Sequence, residues 1–287
     1  MKKPFTFADI FCGIGGFHIA LSGLGGECVF AAEIDNAARR TYEANFRKES
    51  PALFDGGNFI RDITTVDVSN IPDFDVLCAG FPCQPFSQAG FKKGFKEARG
   101  TLFFDIARII KAKKPKAFFL ENVRHLIRHN DGKTIETIER IITQDLEYSF
   151  AYRIVKASDF GLPQHRPRLF MVGFSEHQDF SFPAPTGLQK TMSDILGGHC
   201  PKDIGYTLRV GGRGSGLGDR RNWDSYLVDG EEVRITSKEG LALQGFPESF
   251  ILPVSETQAM KQLGNSVAVP AIKAVAKNMI GVLNGHC

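Results

Sequence analysis

Apolar residues along this chain fall into short unbroken runs and stretches of helical spacing, and the two patterns alternate from the N-terminus onward. Residues 5–11 read as a first strand, 13–16 as a glycine-rich turn and 17–24 as the helix behind it. A second strand over 28–32 ends at Glu33, Asn36 caps a helix running to about Phe46, and a third, short strand ends near Asp62. The run Val76, Leu77, Cys78, Ala79 has the look of a buried strand that closes in a tight turn, Gly80-Phe81-Pro82-Cys83-Gln84. A basic loop follows, then a helix over 101–113, a buried strand over 117–120 ending in Glu121-Asn122-Val123, and a helix over 134–146. Strands over 150–157 and 169–174 flank a turn. Such alternation predicts an α/β fold with a mostly parallel sheet.

At Ser175 the pattern changes. Residues 175–235 are rich in glycine, proline and polar positions, with short strand-like runs and no long helical period, which predicts a second, small, loop-rich module. Apolar residues at helical spacing return over 268–283, so the segment 236–287 is expected to rejoin the first domain, 1–174. The length of 287 residues suits one large domain with a small appendage. A net charge of +3 fits a nucleic-acid partner and fits solubility charge equally well. Its distribution is more informative: Lys92, Lys93, Lys96 and Arg99 follow the Cys83 turn, and Arg209, Arg213, Arg220 and Arg221 sit in a glycine-rich run, both placed to meet phosphates. The six cysteines show no metal-ligand spacing and the N-terminus lacks a signal-peptide core. A reduced, cytoplasmic protein is expected, with no metal and no stretch approaching a membrane span.

Four constellations carry chemistry. Phe11-Cys12-Gly13-Ile14-Gly15-Gly16 lies between a strand and a helix, where glycines let the backbone approach a ligand. Glu33, ending the next strand, is placed to accept hydrogen bonds from a ribose, and Asp62, ending the third, from an adenine amine. The turn lacks the longer dinucleotide fingerprint, which favours a nucleoside ligand without a pyrophosphate; an ordinary strand-turn-helix is the alternative. Cys83, where a strand ends, suits a nucleophile and equally a buried structural thiol. Glu121 at an apolar strand end would be a proton donor near neutral pH if it lacked a partner, or a helix cap if exposed. Arg166 and Arg168, in Gln164-His165-Arg166-Pro167-Arg168, would share one face of a strand and suit an anionic ligand or a carboxylate.

Taken in this order, these motifs resemble the DNA (cytosine-5)-methyltransferase family. The resemblance runs over nearly the whole chain, through Phe86-Ser87, Leu243-Gln244-Gly245-Phe246-Pro247 and Gly264-Asn265-Ser266-Val267-Ala268-Val269-Pro270. It is greatest to the short bacterial enzymes of restriction-modification systems. It implies a Rossmann-like domain dependent on S-adenosylmethionine and a small target recognition domain. By it, Cys83 is the thiolate that adds to carbon 6 of cytosine and makes carbon 5 an enamine nucleophile. Glu121 contacts the ring's amino group and nitrogen 3, while Arg166 and Arg168 hold the base. After methyl transfer, loss of the carbon 5 proton expels Cys83.

The cofactor pocket implied by the resemblance comprises Phe11, stacking on the adenine, with Gly13, Ile14, Gly16, Glu33, Ile34, Asp62, Ile63, Gly80, Pro82, Leu102, Asn265 and Ser266. The target cytosine must leave the duplex stack, and Ser87, Lys92, Lys93 and Arg99 are placed to grip DNA around it. Thr207, Arg209, Arg213, Arg220 and Arg221 fall in the part of the variable segment that looks like the family's reading loops. Double-stranded DNA with a short specific site is the implied partner, met by a monomer. The variable segment is short, with no obvious counterpart of the first reading loop. A transfer-RNA cytosine methyltransferase of the same fold would carry a Cys-Phe-Thr signature there, and none occurs. A catalytically silent DNA-binding relative would have lost Cys83, Glu121 or a cofactor glycine, and all are present.

Overall fold

The computed structural model describes residues 5–82 and 102–285. Its centre is a seven-stranded sheet of order β3-β2-β1-β4-β5-β8-β6. The strands are β1 (Thr6–Ile10), β2 (Glu27–Ala32), β3 (Phe59–Ile60), β4 (Val76–Gly80), β5 (Ala117–Val123), β6 (Ala151–Lys156) and β8 (Pro167–Phe174). The five from β3 to β5 are parallel, as expected, whereas β8 runs antiparallel to both β5 and β6. Pro167 is tolerated inside the sheet because it is the first residue of its strand.

Both faces of this sheet are covered, which is why its strands are apolar without a break. Val76 and Cys78 of β4, with Ala117 and Phe119 of β5, face one core cluster; Leu77, Ala79, Phe118 and Leu120 face the other. The helices are α1 (Gly16–Ser22), α2 (Asn36–Phe46), α3 (Pro51–Asp55), α4 (Leu102–Lys113), α5 (Lys133–Arg140), α6 (Met192–Leu196), α7 (Ser237–Gln244), α8 (Glu256–Asn265) and α9 (Val269–Leu283). Two local expectations are corrected. Asp35, not Asn36, caps α2, its carboxylate accepting from the N–H groups of Ala37 and Ala38 at 2.8 and 2.9 Å. The helix expected over 134–146 stops being α-helical at Arg140 and widens into a π turn, Ile141–Asp145.

The loop-rich segment contributes β9 (Gly187–Leu188), paired with β7 (Phe160–Gly161), and the hairpin β10 (Ser225–Val228) and β11 (Glu231–Arg234). Its Trp223, Tyr226 and Leu208 are buried in the same cluster as Phe170 and Leu243. Helix α9 packs on α1, returning the C-terminal segment to the sheet. One segment, Glu256–Leu283, is long and apolar enough to cross a membrane, where none was expected. It is interrupted at Ser266, whose backbone is extended, and Ala271, Ile272, Val275, Ala276 and Met279 lie in the core.

Candidate active site

Strand order reverses between β1 and β4: β2 and β3 lie to one side of β1, β4 and β5 to the other. Loops after adjacent strands diverge at such a point and leave a crevice at the carboxyl ends. A cavity of about 700 Å³ opens there, within the roughly 300–1,000 Å³ of small-molecule sites. Phe11, Gly13, Ile14, Gly16, Glu33, Ile34, Asp62, Ile63, Gly80, Pro82, Leu102, Asn265 and Ser266, expected as one pocket, all line it. So do Glu121, Arg166 and Arg168.

On the β1–β3 side, Phe11 adopts φ 57°, a left-handed conformation uncommon for a side-chain-bearing residue. It is held by its neighbour, the Cys12 N–H donating to the Ala32 carbonyl at 3.0 Å. Glu33 accepts the Gly13 N–H on one carboxylate oxygen and the Asp35 N–H on the other, each at 2.8 Å. Burial pushes this carboxyl above the ordinary range, against the pull of those N–H groups. Each oxygen keeps a further acceptor site, as two ribose hydroxyls would require. Asp62 uses one oxygen, Oδ1, to accept from the N–H and hydroxyl of Thr64, leaving Oδ2 for a donor such as an adenine amine. A Cβ on Gly16 would stand 2.5 Å from Val267 Cγ2; this close approach brings the turn bearing Asn265 and Ser266 to the start of α1. With apolar Phe11, Ile34 and Ile63 beside these acceptors, the residues present fit S-adenosylmethionine.

On the β4–β5 side, Gly80 is paired with Glu121 across the parallel ladder, and Arg168 with Val123 across the antiparallel one. Arg168 Nε lies 3.0 Å from Glu121 Oε1, both side chains largely buried. Burial pushes the Glu121 carboxyl up, opposed by Arg168 and then Arg166. Thus Glu121 has the partner whose absence was the condition for a raised value, and desolvation still prevails. Asn122 donates to the Phe81 carbonyl at 2.9 Å and fixes the turn after β4 to β5. Cys83, the expected nucleophile, lies three residues beyond Gly80 in sequence and outside the described residues, as do Ser87, Lys92, Lys93 and Arg99.

Arg166 differs from Arg168. It precedes β8 and is not paired in the sheet, so the two do not share a strand, although both line the same cavity. Its guanidinium donates through Nη1 and Nη2 to the carbonyls of Leu208, Gly264 and Ser266, while its buried Nε has no hydrogen-bond partner among the described residues. Among the expected DNA-side arginines, Arg213 is also committed internally, to Asp224 at 3.2 Å and to the Ile235 carbonyl at 2.6 Å. Arg221 is paired with Asp219 at 2.6 Å, and its hydrogen bonds hold that carboxyl down at about 2. Arg209 and Arg220 make no hydrogen bond or ion pair with the described residues. Thr207 donates its hydroxyl to the His165 carbonyl.

A second cavity of about 350 Å³ adjoins Arg168 and is lined by Arg124, His125, His165, Thr207 and Arg209. Arg124, His125 and His165 were not anticipated as site residues, although the basic pair directly after Glu121-Asn122-Val123 was a visible signal. Gln258, Lys261 and Gln262 of α8 also line the main cavity unanticipated; nothing in their spacing marks them. Among the described residues no group of three or more His, Cys, Asp or Glu side chains is placed to hold a metal ion.

Comparison with known proteins agrees with this geometry. A Type II methyltransferase of Neisseria lactamica, M.NlaX, is 43% identical over 98% of this chain and 97% of its own length. M.HpaII of Haemophilus parainfluenzae is 41% identical over 98% of this chain and 90% of its own. A crystal structure of a putative DNA modification methyltransferase encoded within an Escherichia coli prophage superposes with a TM-score of 0.73 at 20% identity, over 98% of this chain and 99% of that one. The Schizosaccharomyces pombe Dnmt2 methyltransferase superposes equally well at 18% identity, covering 98% and 99%. These two likenesses show the fold. The family model of C-5 cytosine-specific DNA methylases, whose members generally use S-adenosylmethionine, matches residues 5–210 and 213–281; with relatives this similar over nearly their full length, the chain belongs to that family.

Proposed function

We propose that this chain methylates carbon 5 of a cytosine within a short specific site of duplex DNA, as the modifying enzyme of a bacterial restriction-modification system. The observation that supports the reading is that Glu33, with an acceptor site left on each carboxylate oxygen, and the Glu121–Arg168 pair face one cavity. Phe11 stacks on the adenine of S-adenosylmethionine, Glu33 takes its ribose and Asp62 its exocyclic amine, with Gly13, Ile14, Gly16, Ile34, Ile63, Gly80, Pro82, Leu102, Asn265 and Ser266 completing the walls. When bound, this cofactor supplies the methyl group of a sulfonium to carbon 5.

The chain's own residues prepare that carbon. Addition of the Cys83 thiolate to carbon 6 breaks the 5,6 double bond and leaves an enamine. Negative charge developing toward nitrogen 3 is met by Glu121, whose burial raises its pKa and so favours the protonated form. Arg168 fixes Glu121 in orientation. Loss of the carbon 5 proton returns the electron pair, reforms the double bond and expels the thiolate. The segment 175–235 is the recognition domain and 1–174 with 236–287 the catalytic one, the protein acting as a monomer in the cytoplasm.

Incubation with S-adenosylmethionine and genomic DNA, followed by bisulfite sequencing, is expected to reveal 5-methylcytosine at one short recurring sequence. A duplex carrying 5-fluorocytosine at that position is expected to leave a denaturation-resistant adduct through Cys83, since fluorine cannot depart as a cation. Methylation of RNA alone, or of no nucleic acid, overturns the reading.

A further inference from the structure

We infer that Arg166 is a positioning residue that makes cofactor binding and DNA binding mutually dependent, an inference that rests on the function proposed above. Its side chain is buried, and its guanidinium reaches two segments more than fifty residues apart in sequence. Nη1 donates to the carbonyl of Leu208 at 3.1 Å; Nη2 donates to the carbonyl of Gly264 at 2.9 Å and to that of Ser266. Leu208 lies between Thr207 and Arg209, which line the second, basic cavity and not the cofactor cavity. Gly264 and Ser266 flank Asn265 at the C-terminal end of α8, and all three line the cofactor cavity.

The two segments also touch directly. A Cβ on Gly264 would stand 2.6 Å from the carbonyl carbon and oxygen of Arg209 and 2.8 Å from the Val210 nitrogen, so only glycine allows the backbones to meet. Gln164 braces the same strand of chain from the other side, accepting the Leu208 N–H at 3.0 Å while donating to the Leu243 carbonyl at 2.8 Å. Order imposed on residues 264–266 by a bound cofactor is therefore passed through a planar guanidinium and a backbone contact to residues 207–210. A planar fork of donors can serve carbonyls on both segments at once; a lysine ammonium is a point donor and cannot hold the same geometry. By linkage, whatever factor the cofactor adds to DNA affinity, DNA adds to cofactor affinity.

The test uses S-adenosylhomocysteine as the probe and the full-length protein. Calorimetric titration with and without a duplex containing the methylated site gives the coupling as a ratio of Kd values. For the unaltered protein that ratio is expected to be about fivefold or more. For Arg166→Lys it is expected to fall to near 1, with the KM for DNA raised more than kcat is lowered. Hydrogen exchange of the unaltered protein supplies a reading independent of whether the variant folds: S-adenosylhomocysteine alone is expected to slow exchange at 207–210 as well as at 264–266. Protection confined to 264–266, or a coupling ratio unchanged in Arg166→Lys, overturns the inference and leaves the proposed function standing. Failure of the unaltered protein to bind S-adenosylhomocysteine overturns both.

Discussion

Replacing Glu121 by glutamine removes a charge and a proton while retaining the shape of the side chain and an oxygen for Arg168 Nε, now 3.0 Å from Oε1. Burial raises the carboxyl's pKa despite two nearby guanidiniums, which favours the protonated form, and an amide cannot deliver that proton. A positioned acid contributes about 10²–10⁴ in rate, or roughly 2.7–5.4 kcal/mol of transition-state stabilisation at 1.36 kcal/mol per decade. Cost to the fold is smaller, because the amide oxygen still accepts from Arg168. Cofactor affinity is expected to stay within about threefold: Glu33 and Glu121 belong to separate hydrogen-bond networks, one with Gly13 and Asp35, the other with Arg168. Single-turnover transfer of a radiolabelled methyl group into a duplex measures the rate, and calorimetry with S-adenosylhomocysteine measures binding. A variant that retains more than about a tenth of the rate, or loses rate only in proportion to cofactor affinity, refutes the assignment of Glu121 to the chemical step.

Glu33→Ala is expected to weaken S-adenosylhomocysteine by about tenfold or more, since it removes a charged acceptor worth roughly 1.5–3 kcal/mol and frees the Gly13 N–H; unchanged calorimetric affinity would contradict the pocket. Asp9 is fully buried, no hydrogen bond of good geometry reaches its carboxylate oxygens, and burial raises its pKa strongly against a weaker opposing pull from the His18 backbone. With the folded pKa raised above the unfolded value of about 3.9, stability is full below that value and falls as pH rises toward the raised one. Thermal melts from pH 5 to 8 are then expected to shift in favour of Asp9→Asn by up to about 3–5 °C per pH unit, and a gap independent of pH would show that Asp9 is ionised when folded. Single replacement of Arg209 or Arg220 is expected to relax one position of the recognised sequence if the arginine reads a base, at about 1–3 kcal/mol, or to lower affinity for all sequences and flatten the salt dependence if it grips phosphate; sequencing of methylated sites separates the two, and no effect of either kind would exclude both residues from the interface.

Much of the catalytic domain was legible because a parallel sheet covered on both faces writes its strands as unbroken apolar runs, as at Val76, Leu77, Cys78 and Ala79. Residues of the cofactor cavity were legible for a related reason. Glu33, Asp62 and Gly80 each stand at or just after a strand end, and parallel strands bring such positions to one edge of the sheet. Strand direction was not legible, because an apolar run reads the same either way; β8 is reversed. The division of labour between Arg166 and Arg168 was hidden by their spacing. Residues two apart share a face only if both belong to the strand, and β8 begins at Pro167, between them. Nor could spacing reveal Gln258, Lys261 and Gln262, which reach the cavity only because α8 is folded back beside the glycine-rich turn.

Charge in the segment 175–235 was the least legible feature, because a sequence shows which residues are basic and not which are already neutralised. Asp224 has no exposed surface and accepts from Arg213 and Arg234 together, at 3.2 and 2.9 Å. A carboxylate at that depth requires such partners, since leaving it unpaired would cost several kcal/mol. Arg213 and Arg234 are therefore needed to keep the β10–β11 hairpin attached to the loop before it. Arg221 is drawn to Asp219 on the surface, a pair that DNA phosphates can displace because exposed ion pairs are weak. Of the four arginines expected on the DNA side in this segment, Arg220 and Arg209 remain unpaired among the described residues, and Arg209 meets Gly264 through its backbone. An arginine whose main chain is fixed loses less freedom when its side chain docks, so of these two Arg209, which lines the basic cavity together with Arg168, is expected to show the larger effect when replaced.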